Sequence, residues 1–455
     1  MMKLSLSLLL VGFIASCSQS RLTTARQVNI DIPATYKEAA SGENSRVTTG
    51  WLSSLQSPRL VALVREALAN NQNLAATAAR LSAAEETSLV ARARKLPDIT
   101  VGGGTSVNYD NFTNDVQESY RLNLNVSWEA DVWGRLRNLE KAAYYDFASA
   151  VADFRSARLS LAANTARGYL NLISAQQQLR LAETTLESFK KNLRIIERNY
   201  TAGTGDARDL DVAFGRNNVA SAERSLISRR LDRDEAARSL EVLLGRYPAG
   251  ELRSTTTLPS LSSRVPVGLP STLLERRPDI TSAAADVYAS RERVEAARKN
   301  LLPSLRLTAG VSNAPGSVFS RIFDPNFLLY TAAANLSQTI YGGGELKAQA
   351  RQALENSRAE LADYAQTALD AFREVESALA TGESLARQVT FLETEVEKAA
   401  VAEKFAERSY IEGGNILSVL EAQRRVNSAR AALIALRNRQ LQNRIDLHLA
   451  LGGSF

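Results

Sequence analysis

The 455-residue chain has very few of the side chains that most often build catalytic or metal centres. It contains one cysteine, Cys17, one histidine, His448, and two methionines, both at its start. A zinc site or a Cys/His catalytic cluster would have to be built almost entirely from carboxylates, and a methionine relay for soft metals is disfavoured. Neither Gly102–Gly104 nor Gly342–Gly344 has the neighbours that complete a phosphate-binding loop. The composition therefore predicts no enzyme, no metal site and no nucleotide cofactor.

Proline, long apolar runs and runs of one charge sign are also scarce. With 11 prolines and 23% charged residues, the chain lacks a disordered or collagen-like composition. The net charge is +6, but basic and acidic residues are interspersed along helical stretches, which disfavours nucleic-acid binding. After Cys17 no run of 18 apolar residues occurs, so the sequence predicts that any membrane crossing uses strands.

The first 17 residues have the pattern of an export signal. Lys3 precedes an apolar run from Leu4 to Ile14, which is too short to span a bilayer. The run ends in Ile14-Ala15-Ser16-Cys17, which resembles a bacterial lipobox and predicts that Cys17 becomes the acylated mature N-terminus. Ser18 rather than aspartate follows, a pattern similar to that of lipoproteins sorted to the outer membrane. A buried structural cysteine is the alternative for Cys17.

The rest of the chain contains the same unit twice. Leu96 to Val101 returns as Leu302 to Leu307, an offset of 303 − 97 = 206 between the two prolines. The Tyr-x-x-Gly element ending at Gly203 returns at Gly413, an offset of 210, and Gly245 returns at Gly452, an offset of 207. A repeat of this length is a duplicated architectural unit rather than a solenoid period. The changing offset predicts that the copies diverge around the Tyr-x-x-Gly elements.

Each copy contains two stretches in which apolar and polar residues alternate with a period of two. The clearest runs from Tyr120 to Trp133, and the fourth runs from Tyr330 to Tyr341. Each is about as long as a tilted membrane strand. A half-buried soluble sheet also alternates, but four such strands behind an export signal favour the membrane. Because four strands cannot close a transmembrane barrel, the barrel must be shared between chains. The connections Asp110 to Ser119 and Asn313 to Leu329 are predicted extracellular loops.

Each copy also contains a very long helix that turns back on itself. No proline occurs from Gly134 to Tyr200, and apolar or small residues recur there at alternating steps of four and three, as in a coiled coil. About 67 residues give a helix of about 100 Å. The predicted turns are glycine-containing tips at Gly203 to Asp206 and Gly413 to Asn415.

The segment from Leu269 to Ile280, which contains Arg277-Pro278-Asp279-Ile280, resembles the signature of TolC-like outer-membrane efflux lipoproteins of the NodT/OprM-like branch. The Tyr-x-x-Gly tips and Val419 to Arg424 also match, and the resemblance covers nearly the whole mature chain. It implies a homotrimer with a shared 12-stranded β-barrel and a periplasmic barrel of long antiparallel coiled-coil helices. For Arg277, Pro278 and Asp279, we favour a structural role in bracing a helix start over contact with cargo.

The resemblance also implies a function. The chain would be the outer-membrane exit channel of a tripartite efflux pump, with a periplasmic adaptor and an inner-membrane pump of the RND type as partners. Its one covalent group would be lipid, diacylglycerol and N-acyl, on Cys17. The alternatives are a protein-secretion channel of the same architecture and a lipid-anchored coiled coil without a pore.

These observations divide the chain as follows. A signal peptide at 1–16 and an extended equatorial segment at 17–57 come first. The first repeat has a helix at 58–96, a strand pair at 97–133 and a long helical hairpin at 134–245. After an equatorial linker at 246–269, the second repeat has a helix at 270–302, a strand pair at 303–341 and a hairpin at 342–451, with a tail at 452–455.

By the same resemblance, the periplasmic end would be closed near the hairpin tips. Tyr200, Gly203, Tyr410 and Gly413 are the predicted tip-forming and adaptor-docking residues. Threefold symmetry would repeat each charge in a ring around the pore, and the predicted gate residues are Asp206, Asp209, Asp211, Glu421 and Arg424, with Tyr410 as a further tether. Many relatives have an aspartate just after the second tip glycine, whereas this chain has Gly414-Asn415. Solvated helix ends are the alternative for each of these charges.

Overall fold

The computed structural model describes residues 32–33, 35–38, 50–112, 114–202, 209–255, 257–259, 265–268, 270–313, 319–321 and 324–453. Cys17, the signal peptide, Gly203 and Asp206 lie outside these residues.

The two repeats have the same succession of elements. A short helix, α1 (Trp51–Ser54), precedes the first copy, which comprises α2 (Pro58–Asn70), α3 (Gln72–Ala93), β1 (Asp98–Asp110), β2 (Asp115–Ala130), α4 (Arg135–Thr201) and α5 (Asp209–Leu243). The second comprises α6 (Pro270–Arg276), α7 (Pro278–Lys299), β3 (Ser304–Asn313), β4 (Leu328–Ser337), α8 (Glu345–Ile411) and α9 (Ile416–Ala450). The paired helices α4 and α8 have 67 residues each, and α5 and α9 have 35 each. The duplication therefore preserves the long hairpins residue for residue in length.

The single helices predicted over 58–96 and 270–302 are each broken in two, and both breaks have the same cause. Gly245 and Gly452, which close the two repeats, have positive φ angles of 73° and 66°. A Cβ on Gly245 would lie 2.5 Å from the carbonyl oxygen of Asn70, and one on Gly452 would lie 3.0 Å from the carbonyl carbon of Arg276. The end of each hairpin thus passes directly over the break between the two preceding helices.

The four strands form one antiparallel sheet in the order β1-β2-β3-β4. The register aligns Val101 with Leu124, Leu124 with Val311 and Val311 with Tyr330 on one face. The adjacent row, Asn125 with Thr100 and Gly310, lies on the opposite face. One face is therefore mainly apolar and the other mainly polar, as the alternation predicted.

Two strand boundaries differ from the sequence prediction. The segment from Asp115 to Ser119, predicted as part of a loop, pairs with β1, so the connection is only residues 111–114. In the second copy, β4 ends at Ser337 instead of continuing to Tyr341. A polar sequence signals a turn, but here the ladder of backbone hydrogen bonds extends β1 and β2 beyond their apolar residues.

The structure also corrects where the repeats diverge. The offset is 304 − 98 = 206 at the first strand and already 345 − 135 = 210 at the start of the long helix. The additional four residues therefore lie within the second strand pair and its flanking connections. Only the decrease to 416 − 209 = 207 occurs at the tips, where seven residues connect α4 to α5 and four connect α8 to α9.

Contacts divide the described residues into two compact units. One comprises 79–153 and 279–367 and contains the sheet; the other comprises 32–78, 154–278 and 368–453. The largest core of the second unit is built around Trp51, Leu60, Tyr169 and Leu240, which are nearly inaccessible to solvent.

None of the described helices combines the length and hydropathy needed to cross a membrane.

Candidate functional site

The predicted coiled-coil seam of α4 packs against α5. Gly168 lies so close to α5 that a Cβ there would be 3.3 Å from Leu240, and a Cβ on Gly215 of α5 would be 3.0 Å from Leu193. Small residues at these positions let the two helices approach closely, which is what the repeated small and apolar positions predicted.

A second face of α4 packs against α9 through polar side chains. Near one end, Asn171 accepts hydrogen bonds from Asn438 (2.8 Å) and Gln442 (2.5 Å). The amide of Gln178 donates to the carbonyl oxygen of Ala431 at 2.7 Å. Sequence analysis did not identify this face, which we call the polar seam.

The polar seam continues toward the tips. Asn192 donates to Gln423 of α9 at 2.6 Å, and Asn199 donates to the hydroxyl of Tyr410 of α8 at 3.3 Å. Asn171, Gln178, Asn192 and Asn199 are separated by 7, 14 and 7 residues, a heptad spacing. The two hairpins of one chain are therefore held together along this face by hydrogen bonds.

Gln423 is the most buried residue of the polar seam, at 2% exposure. Besides accepting from Asn192, its amide lies 3.4 Å from the Ser188 hydroxyl and 3.5 Å from a Glu407 oxygen. It thus lies where α4, α8 and α9 meet. A small apolar cluster is found beside it, formed by Ile196, Val212, Ile416, Val419 and Leu420 with Tyr410 packed against it.

The tip between α8 and α9 is a tight glycine turn. Gly413 has φ +97°, which favours glycine, and the amide of Gly414 donates to the Ser409 carbonyl oxygen at 2.8 Å. A Cβ on Gly414 would lie 2.5 Å from the Ser409 hydroxyl oxygen. The Asn415 side chain then caps α9 by accepting from the Leu417 amide at 2.9 Å.

At the other tip, the structure describes both flanking helix ends. The hydroxyl of Tyr200 donates to the Asp209 carboxylate at 2.5 Å, joining the end of α4 to the start of α5. This hydrogen bond and the negative charge of Asp209 raise the pKa of Tyr200. Asp209 and Asp211 both lie in the first turn of α5, where a helix stabilises negative charge. Of the predicted tip pair on this hairpin, only Tyr200 is within the described residues.

Glu421 is paired within its own helix. Its carboxylate accepts hydrogen bonds from Arg424 at 2.9 Å and from Arg425 at 2.8 Å, and these bonds, first that from Arg425, lower the pKa of Glu421. The three side chains together carry +1. Arg424 therefore contacts a residue one turn away, and Glu421 is neutralised rather than available as an isolated negative charge.

The signature residue Arg277 is buried and braces helix ends. Its guanidinium donates to Glu374 of α8 at 2.7 Å and to the carbonyl oxygen of Ala450, at the end of α9, at 3.1 Å. Pro278 is the first residue of α7, and Asp279 accepts from the Ile280 amide at 2.9 Å. These contacts hold together structural elements and leave no part of Arg277 free for cargo.

Asn71 is the equivalent of Arg277 in the first repeat, at an offset of 206. Its side-chain amide donates to the carbonyl oxygen of Leu243, at the end of α5, at 3.0 Å. Its oxygen accepts from the Leu74 amide at 3.0 Å and caps α3. Each repeat thus joins its helix break to the end of its own hairpin, and the sequence match to the family signature found only one of the two sites.

Comparison with known proteins gives a consistent result. A profile of the outer membrane efflux protein family matches residues 63–246 and 269–453, which are nearly the two repeats. The chain is 32% identical over 472 residues to the pyoverdine export outer membrane protein OpmQ of Pseudomonas putida, covering 100% of this chain and 97% of that one. It is 30% identical over 414 residues to the toluene efflux pump outer membrane protein TtgF of Pseudomonas putida, covering 89% and 85%. Crystal structures of CusC that describe transmembrane channel formation superpose with a TM-score of 0.83 at 26% identity, covering 93% and 99%.

Proposed function

We propose, from the premise that this chain belongs to the outer membrane efflux protein family, that three copies of it form one passive exit duct for small molecules. The chain is the outer-membrane channel of an efflux system that works with an inner-membrane pump. It is a channel rather than an enzyme, and its fold is TolC-like and mainly helical, with four antiparallel strands.

The sheet with two open edges is the observation that carries this proposal. β1 and β4 each pair with only one neighbour among the described strands, and exposed apolar residues such as Val101 and Tyr330 cover one face. An open edge in lipid leaves backbone groups without partners, so the edges need strands from other copies. Three copies supply 12 strands and a wall of long hairpins, as in the efflux lipoproteins that the sequence resembles.

The long hairpins support a second part of the assembly. On α5, Ile227 and Leu231 are more than half exposed, and on α8 so are Phe391 and Phe405. Apolar side chains on the outer helices of a hairpin pair favour packing against further helices. We propose that α5 and α8 of neighbouring copies cover each other and close the helical wall.

Lipid on Cys17 and two protein partners complete the proposed system. Cys17 lies outside the described residues, so the lipobox sequence alone supports its acylation with diacylglycerol and an N-acyl chain. Labelled palmitate should be incorporated by the wild type and not by Cys17→Ala. A periplasmic adaptor would engage the tips formed by Tyr200, Gly203, Tyr410 and Gly413, and the pump would be of the RND type.

At the closed end, we propose that the polar seam and the tip contacts hold the hairpins together until the adaptor engages them. Asn199 with Tyr410 and Asn192 with Gln423 are the contacts that must change when the tips part. Among the charged candidates, Asp206, Asp209 and Asp211 of the first hairpin remain the proposed acidic ring, since Glu421 is neutralised by Arg424 and Arg425.

Planar-bilayer recording tests the proposal. The purified wild-type protein should conduct ions steadily and prefer cations. Replacing Asp209 and Asp211 with alanine should lower both conductance and cation selectivity, whereas Asp232→Ala with Asp234→Ala, further along α5, is the matched control. Unchanged selectivity in the Asp209/Asp211 variant would exclude these two residues from a selective ring, and absence of conductance in the wild type would contradict the duct itself.

A further inference from the structure

One end of the apolar sheet face has a well-defined boundary. There Trp128 aligns with Leu307, and Leu307 with Ala334, in one of the last rows before the strands give way to helices. The indole N–H of Trp128 donates to the carbonyl oxygen of Lys95 at 2.7 Å. The segment after α3 therefore lies against the apolar face at this boundary, which we call the base of the sheet.

Exposed apolar and aromatic residues continue around the base. Leu96 is 64% exposed, Val132 59% and Trp133 48%. The indole N–H of Trp133 donates to the Pro303 carbonyl oxygen at 2.7 Å, which fixes the ring at the end of β2. Half-exposed tryptophan with a satisfied N–H is typical of the region where a membrane meets water.

Unpaired basic residues lie within 14 residues of the strand ends. Arg92 and Arg94 precede β1, Arg137 follows β2, and Lys347 and Arg351 follow β4. All five are exposed, and none forms an ion pair with another residue that the structure describes. We call these five residues the basic collar.

The acidic residues near the base leave the basic collar uncompensated. Glu140 is paired with Lys95, and Glu129 with Arg135 at 2.7 Å. Asp131 accepts from two backbone amides at the start of α4. Two exposed carboxylates, Asp98 and Glu345, remain close by in the sequence, so the collar and these two groups sum to 5 − 2 = +3 in each copy.

We propose that the basic collar binds the anionic phosphate headgroups of glycerophospholipids in the leaflet that faces the periplasm. The inference rests on the proposed placement of the sheet in the outer membrane. Basic residues beside a membrane segment attract anionic lipid by about 1 kcal/mol each, which is about a fivefold preference. Trp128, Trp133 and Leu96 place the acyl chains beside the same residues.

Helix electrostatics offers a simpler account for one member. Arg92 lies in the last turn of α3, where a positive charge offsets the helix dipole. That account applies to a helix C-terminus and does not cover Arg137, Lys347 or Arg351, which follow strands and lie near the starts of α4 and α8. It also predicts an effect on stability and none on lipid preference.

Tryptophan fluorescence can test lipid preference in the full-length protein. The chain has three tryptophans, and Trp51 is 2% exposed in the unit without the sheet, so lipid quenching reports on Trp128 and Trp133. The protein would be reconstituted in phosphatidylcholine vesicles with brominated phosphatidylglycerol or brominated phosphatidylcholine. We expect a relative binding constant of about five in favour of phosphatidylglycerol, decreasing at high salt because the attraction is screened.

Two triple variants with equal charge changes separate the outcomes. Arg92→Gln with Arg94→Gln and Lys347→Gln should reduce the preference to near one. Lys191→Gln with Arg198→Gln and Arg224→Gln, on exposed positions of α4 and α5, should leave it unchanged.

Several results would overturn the proposal. Equal quenching of the wild type by both brominated lipids, or a preference that persists in the first triple variant, shows that the collar does not select anionic lipid. Altered ion selectivity with unchanged lipid preference assigns these cations to the channel interior. If neither brominated lipid quenches the wild type, the placement of the sheet in the bilayer fails as well.

Discussion

Replacing Gln423 with leucine should make the closed end of the channel open more often. Leucine has a similar volume but cannot accept the 2.6 Å hydrogen bond from Asn192. The bonds to Ser188 and Glu407 are long, at 3.4 and 3.5 Å, so they contribute little. One good hydrogen bond contributes about 1 kcal/mol, and the half-buried amide of Asn192 would lose its acceptor, for a total of about 1–2 kcal/mol. Because 1.4 kcal/mol is tenfold, the ratio of parted to closed tips should rise by about tenfold per copy.

The assay is the frequency of spontaneous openings of single channels in planar bilayers, without adaptor. Gln442→Leu is the matched control, since Gln442 is also on α9 and also bonds to α4, through Asn171 at 2.5 Å. It lies 19 residues from Gln423, about 28 Å along the helix. The reasoning would be refuted if Gln423→Leu left the opening frequency unchanged, or if Gln442→Leu raised it equally, because the polar seam near the tips would then have no special part in closure.

Two further predictions concern the unit that contains the hairpins. Asn71→Ala should weaken the start of α3 by about 2 kcal/mol, since it removes both the cap on Leu74 and the bond to Leu243; hydrogen exchange at residues 74–76 should accelerate by about 30-fold, and no such change is expected for the adjacent, exposed Gln72→Ala. Burial, and then the charge of Arg444, lower the pKa of His448 from 6.5 to about 4. The unfolded chain therefore binds a proton below pH 6.5 that the folded chain excludes, so stability should fall from pH 6.5 to 4 by up to about 3 kcal/mol; thermal unfolding of His448→Phe should lack this part of the pH dependence, and an unchanged dependence would contradict it.

Features with a short repeat were predictable from the sequence. The alternation in β1 to β4 and the steps of four and three along α4 and α8 are local patterns imposed by strand and helix geometry. The sequence therefore predicted the strand pairs and the long hairpins, and the family resemblance predicted a TolC-like efflux channel of the outer membrane, which the comparisons confirm.

Features caused by distant residues were not predictable. The first helix break falls within Asn70-Asn71-Gln72, which contains neither proline nor glycine; the tertiary contact that accompanies it comes from Gly245, 175 residues away. Gln423 looks like a surface residue in the sequence, and only the packing of α4 and α8 against α9 buries it. The neutralisation of Glu421 was visible in principle, because Arg424 and Arg425 lie three and four residues further along the same helix.

The mass of the intact assembly tests the central claim most directly. Native mass spectrometry of the detergent-extracted, full-length protein should give three times the mass of one lipidated chain. A stable species with one chain would contradict the account, because its four strands have open edges, and so would one with two chains, because the shared barrel would then have eight strands instead of 12.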